Sequence, residues 1–156
     1  MSDQYDEILA NRRTFFDAVN PTTNVANCPE TADAIHDFLA TGRRRQVRGD
    51  LFSRFRFSRR TRFHPASLAR LLSLVPRHGT HIVVRMSTGS RTDPQNTHYF
   101  ILANIRRRVY VIDAYTREVN DNINEYLHRQ PFDNLDYATG YDIAVEQSDL
   151  GLDTAP

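Results

Sequence analysis

The chain contains no lysine: all twenty of its basic side chains are arginine. That absence removes every side-chain amine that could be acetylated or ubiquitinated. Two readings of it stand side by side, codon bias in a GC-rich genome and selected avoidance of ubiquitin acceptors by a protein working in a eukaryotic cytosol. A single cysteine, Cys28, excludes an internal disulfide, and no set of cysteines and histidines has the short spacing of a structural zinc site. No run approaches eighteen apolar residues, so no transmembrane helix is expected. The first residues, Met1 to Glu7, are acidic and polar where a secretory signal would be basic and then apolar. The expectation is a soluble chain made in the cytoplasm without a signal peptide.

What is present is enough apolar material for one core: 156 residues, 40% of them hydrophobic. One domain over residues 1–156 is expected, with 148–156 as a frayed tail. The net charge of +1 hides a segregation. Residues 43–108 hold sixteen arginines against Asp50 and Asp93, whereas 113–156 hold ten acids against Arg117 and Arg129. Such asymmetry implies an anionic partner or mutual neutralisation of the two segments.

Apolar periodicity divides the chain into helices first and strands after. Tyr5, Ile8, Leu9, Phe15, Phe16 and Val19 predict an amphipathic helix over residues 3–18, ended by Pro21. A second helix runs from Cys28 to Ala40, with Pro29 in its first turn and Gly42 just past its end. Residues 43–62 carry nine arginines and no clean period, and receive no assignment. A third helix is expected from Pro65 to Val75. Then His81–Met86 reads as a strand, Ser87–Asn96 as a polar turn, and His98–Ala103 with Val109–Asp113 as a hairpin. A short helix near Asn122–His128 and a strand over Tyr141–Val145 complete an α+β chain.

The hairpin carries the chemistry. A turn centred between Ile105 and Arg106 would set His98 directly opposite Asp113, on one face with Phe100, Leu102, Val109 and Val111. A carboxylate could then grip an imidazole, and the second helix is the expected cover for that face. Cys28 opens that helix, where free backbone amides and the helix dipole favour thiolate over thiol. Cys28 as nucleophile, His98 as proton shuttle and Asp113 as its orienting carboxylate form a Cys-His-Asp hydrolase without metal or cofactor. The Cys28 amide with the side chain of Asn27 or Asn24 could form an oxyanion hole. His78 and His81 rival His98 as base, and Asp142 rivals Asp113.

Asn27-Cys28-Pro29-Glu30-Thr31-Ala32 at a helix start, Thr97-His98-Tyr99-Phe100, and Val109-Tyr110-Val111-Ile112-Asp113-Ala114 together resemble the papain-like toxins among bacterial effectors. The likeness covers residues 24–116, and Asn96-Thr97 stands where members often carry a glycine before the histidine. It implies a papain-like α+β fold, delivery by a secretion system into a target cell, and deamidation of a glutamine or asparagine in a target protein, or peptidase action. The partners implied are a protein substrate with an acidic face and an immunity protein. Arg43, Arg44, Arg45, Arg54, Arg56, Arg59 and Arg60 are the candidate docking residues. The same arginines, interleaved with phenylalanines, also support a competing reading as a nucleic-acid-binding module, although no nucleic-acid-binding motif is present and the acidic C-terminal third would repel that partner.

Overall fold

The computed structural model describes residues 3–20, 28–47, 56–57, 61–88, 97–129, 133–140 and 145–146. Three helices come first: α1 (Gln4–Ala10), α2 (Arg12–Val19) and α3 (Cys28–Thr41). Then follow β1 (Arg56–Phe57), β2 (His64–Pro65), α4 (Leu68–Ser73), β3 (Thr80–Ser87), β4 (Thr97–Ile105), β5 (Arg108–Asp113), β6 (Glu118–Asn120), α5 (Ile123–His128), β7 (Asn134–Ala138) and β8 (Val145–Glu146). The larger sheet is antiparallel in the order β2-β7-β3-β4-β5-β6, and β1 pairs with β8 apart from it. The chain is therefore α+β, with helices at its N-terminus and a six-stranded antiparallel sheet. Among the described residues no helix is long and apolar enough to cross a membrane.

Both faces of this sheet are covered, which explains the unbroken apolar run Phe100-Ile101-Leu102-Ala103 in β4. One face, bearing Val83, Ile101, Ala103, Ile105 and Ile112, packs on α1, α2 and α3 through Ile8, Phe15, Phe16, Ile35, Phe38 and Leu39. The opposite face, with Ile82, Val84, Met86, Phe100, Leu102 and Val111, packs on Leu71 and Val75 and on Tyr126 of α5. Strand alternation alone assigns consecutive residues to the two layers.

Several boundaries differ from the sequence reading for local reasons. The first expected helix is two, broken at Asn11, which ends α1 and begins α2 with φ −130° and ψ 43°. Asp3 closes a capping box on α1 with Asp6. Gly42 stands at φ +81° beyond α3, where only glycine sits without strain. Pro65 does not open a helix; it lies in the edge strand β2, and Ser67 caps α4 by accepting from the Arg70 amide. Strand β7 was not foreseen, because its alternation of Leu135 and Tyr137 with a buried Asp136 disguises it as loop. Residues 148–156 and Tyr141 lie outside the described residues, while Val145 falls in β8.

The hairpin register also differs. Ile101 faces Ile112 and Ile105 faces Arg108, so the turn is Arg106-Arg107, one position beyond the expected centre. Both turn residues have positive φ, 54° and 71°. A two-residue turn of this hand matches strand twist, and normally takes Asn-Gly. Arg106 is retained by ion pairing to Asp6 at 2.8 and 2.9 Å, whereas Arg107 has no such compensation among the described residues. Arg107→Gly is accordingly expected to stabilise the protein by about 1 kcal/mol, read as a raised denaturant midpoint; a lowered midpoint would mean that the arginine is under no strain.

A polar chain ties the N-terminal layer to the sheet. The Tyr5 hydroxyl lies 2.6 Å from His81 Nδ1, and His81 Nε2 lies 2.8 Å from His36 Nδ1. Tyr5 donating to His81, and His81 donating to His36, satisfies all three with neutral rings. Burial, and then the neighbouring His36, push His81 down to about 4, and burial lowers His36 as well. The unfolded chain therefore binds more protons than the folded one below the ordinary histidine pKa. The contribution of His81 should be intact above about pH 6.5 and diminish by about 3 kcal/mol as pH drops towards 4, while Asp33, whose carboxyl burial raises to about 6, acts in the opposite sense over the same range. Urea unfolding across this range checks the His81 part by difference: relative to neutral pH the wild-type chain should lose more stability, or gain less, than His81→Gln, and identical pH profiles in the two chains would refute the assignment.

Candidate active site

His98 is the second residue of β4 and Asp113 the last of β5, at the same end of the sheet. Continuing the observed register sets Asp113 opposite Phe100, not opposite His98. The error of two residues preserves strand parity, so His98 and Asp113 still share a face as diagonal neighbours. Their side chains span the diagonal: His98 Nε2 is 2.8 Å from Asp113 Oδ2, and both groups are buried.

The carboxylate is saturated by donors. Its Oδ2 accepts from the Tyr126 hydroxyl at 2.6 Å, and that hydroxyl is also 3.1 Å from His98 Nε2. Its Oδ1 accepts from the backbone amides of Tyr115 at 2.9 Å and Thr116 at 3.2 Å. Burial alone would raise the pKa of Asp113, but the hydrogen bond and charge of His98, the Tyr126 hydroxyl and the Thr116 amide outweigh it. The group is held below the usual carboxylate range. Asp113 thus stays ionised and fixes Nε2 of the imidazole, so that a proton exchanged with a substrate or nucleophile would pass through the ring's other nitrogen, Nδ1. Tyr115 sets its ring edge-on to His98 at 5.8 Å, and is the exposed large hydrophobic residue among those described, at 39%.

Tyr126 was missed by sequence reasoning. It stands in a short helix with no motif around it, and only the packing of α5 on Phe100 brings it to the pair. The available signal was a tyrosine on the apolar side of an amphipathic turn, which reads as ordinary core.

Cys28 is the first residue of α3. The direction of α3 follows from its contacts. His36 meets His81, which pairs with Ala103, and Gly42 at the far end approaches Gln4 of α1, whose neighbour Asp6 holds Arg106 of the β4–β5 turn. The helix start is therefore directed to the opposite end of the sheet, where β4 begins. From His36 back to Cys28 the helix rises about 12 Å, against about 17 Å of strand from Ala103 to His98. Asn20, at the end of α2, donates to the Ala114 carbonyl at 2.7 Å, anchoring the N-terminal layer at this same end.

One expectation is corrected here. Helix α3 does not cover the face that bears His98 and Asp113; that face is covered by α4 and α5, and α3 packs on the reverse face. The reason is that β4 and β5 are apolar on both sides, so the facing of one residue set leaves its cover open. Cys28 and the His98–Asp113 pair share an end of the sheet and lie in different layers.

The rival bases are engaged elsewhere. His78 Nε2 is 2.7 Å from Asp3, and its Nδ1 accepts from the Arg106 amide at 2.8 Å; His81 lies in the chain with Tyr5 and His36. Asn24, Asn27, Asp142, Arg54, Arg59 and Arg60 lie outside the described residues, and of Arg56 only the backbone, in β1, is described. Arg44 pairs with Glu7, and Arg45 with Glu30 and Asp33, so these docking candidates neutralise the protein's own acids, while Arg43 is exposed. Among the described residues Asp3, Asp6 and His78 bring three ligand atoms within 4.8 Å of one another. Asp6 is held by the Arg106 guanidinium, and Asp3 by a hydrogen bond from His78. No protein-family model matches this chain, and neither does any curated protein or solved structure.

Removing the Tyr126 hydroxyl tests the account of Asp113. Tyr126→Phe takes away a charge-assisted donor and should cost about 1 to 3 kcal/mol. It should also move the Asp113 titration to higher pH, measured by carboxyl-carbon NMR. An unmoved titration would show that the hydroxyl does not sustain the carboxylate.

Proposed function

We propose that this chain is a papain-like cysteine hydrolase in which Cys28 is the nucleophile, His98 the general base and acid, and Asp113 the group that orients His98. The observation that carries the reading is the buried, ionised Asp113 gripping His98 Nε2 at 2.8 Å, at the end of the sheet to which the start of α3 is directed. An imidazole held in this way takes up a proton at Nδ1 and the adjacent carboxylate stabilises the imidazolium, which is what a thiol at a helix N-terminus needs to ionise near neutral pH. Because α3 lies on the reverse face, this reading needs the thiolate to reach the imidazole past the start of β4 and not across the helix–sheet interface.

The reaction is acyl transfer. The Cys28 thiolate attacks a carboxamide carbon, and the tetrahedral intermediate collapses as His98 delivers its proton to the departing nitrogen. Ammonia leaves, a thioester remains, and water activated by His98 releases a carboxylate and restores the thiol. We favour a glutamine or asparagine side chain of a protein in a target cell as the amide, since one-residue chemistry on a docked protein needs no long cleft in a chain of 156 residues. A peptide bond as the amide would make the same machinery a peptidase. The toxin-like motifs around Cys28, His98 and Asp113 support action as a delivered effector.

Intact-mass analysis of target-cell protein after expression of the wild-type chain should show species about 1 Da heavier, the change when an amide becomes an acid, and none with Cys28→Ala. New termini in place of those shifts would identify a peptidase. The coupling of the two groups is read independently from the pH dependence of Cys28 alkylation. The thiol should ionise well below about 8.5 in the wild-type chain and near that value in His98→Ala; identical profiles would remove the reading.

A further inference from the structure

The turn that follows Asp113 does more than end β5. Asp113 Oδ1 holds the amides of Tyr115 and Thr116, so one carboxylate oxygen fixes the turn and the other fixes His98. Two features of that turn face outward. Tyr115 is exposed against the edge of His98, and Arg117, at φ 59°, reaches α2, where it pairs with Asp17.

Beside Arg117 lies an open cleft of about 470 Å³ lined by Arg12, Arg13, Phe16 and Arg117. Three arginines line it together with Phe16, an aromatic residue that otherwise belongs to the core. Arg12 and Arg13 are exposed and, like Arg43, Arg62, Arg70, Arg77 and Arg107, form no ion pair among the described residues, whereas Arg44, Arg45, Arg85, Arg106, Arg108 and Arg129 are each held by an acid; Arg12 and Arg13 are the unpaired ones that line this cleft. The cleft therefore carries positive charge that the fold does not itself neutralise.

We infer that this cleft is the docking site for an acidic segment of the protein substrate, and that Arg12 and Arg13 take its carboxylates while Tyr115 guides the chain toward His98. The inference rests on the hydrolase reading and supplies its substrate class: an amide-bearing residue with glutamate or aspartate a few residues away. Carboxylate is favoured over phosphate because a carboxylate, Asp17, already occupies Arg117. Its charge on the rim would penalise a polyanion of higher density, such as nucleic acid. A guanidinium presents a planar fork that matches a carboxylate with two parallel hydrogen bonds, and the Phe16 floor lowers the local polarity in which those bonds form.

The test is the binding of a short fluorescein-labelled peptide alternating glutamate and glutamine to the full chain carrying Cys28→Ala, followed by fluorescence anisotropy at low salt. The double substitution Arg12→Glu, Arg13→Glu should weaken binding by more than about tenfold, while Arg70→Glu, Arg77→Glu on the opposite layer should leave it within about twofold. Equal loss in both pairs would reduce the effect to overall charge and overturn the site. So would equal binding of a glutamine-only peptide, or tighter Arg12- and Arg13-dependent binding of a single-stranded oligonucleotide. Because binding is read without the nucleophile, its failure is distinct from failure of the chemistry: site-dependent binding of a peptide whose glutamines the wild-type chain leaves unaltered would retain the cleft and remove the hydrolase.

Discussion

The buried carboxylate of Asp113 is the constraint around which this end of the molecule is organised. An ionised group out of contact with water costs several kcal/mol unless its oxygens are paired, so the fold must deliver donors to both of them. It does so from four places: a strand neighbour, a helix on the same face, and two amides of the turn that follows. Each delivery fixes an element. His98 sets the start of β4, Tyr126 sets α5 against the sheet, and the amides of Tyr115 and Thr116 set the reversal into β6. The catalytic reading and the fold therefore draw on the same hydrogen bonds.

Burying the sheet on both faces is what makes such a group affordable. The N-terminal helices and the α4–α5 layer divide the side chains of β3, β4 and β5 between them by simple alternation. Polar groups inside each layer are then matched locally: Asn104 donates to the Val75 carbonyl at 3.0 Å, Arg85 pairs with the buried Asp136, and His81 bridges Tyr5 and His36. Among these, the chain through His81 consists of groups that gain charge on acidification, and protonating it would weaken this tie between the N-terminal layer and the sheet.

Charge is handled in the same paired manner at the surface. Acids from the N-terminal helices meet arginines of the basic middle at Glu7–Arg44, Asp33–Arg45 and Asp6–Arg106, and acids of the later strands and helix meet Arg108 and Arg129. Exposed pairs of this kind contribute at most about 1 kcal/mol each, so their main effect is to cancel fields. Arg12 and Arg13 form no such pair among the described residues, and the cleft they line borders the turn that Asp113 organises.

Local patterns determined much of this protein. The helix from Cys28 with Gly42 beyond it, the hairpin from His98 to Asp113, and the short helix near Asn122–His128 were legible because each depends on neighbours within a few residues: a periodicity, a left-handed position, a strand alternation. The candidate pair His98 and Asp113 survived even a misplaced turn, because a slip of two keeps strand parity. Long-range packing decided the rest. Which layer covers His98, the arrival of Tyr126 from α5, and the insertion of β7 with its buried Asp136 beside β3 all require contacts between segments far apart in the chain, whose energies no local window contains. A sheet that is apolar on both sides reads the same from either face in sequence, and only the three-dimensional fold chooses between them.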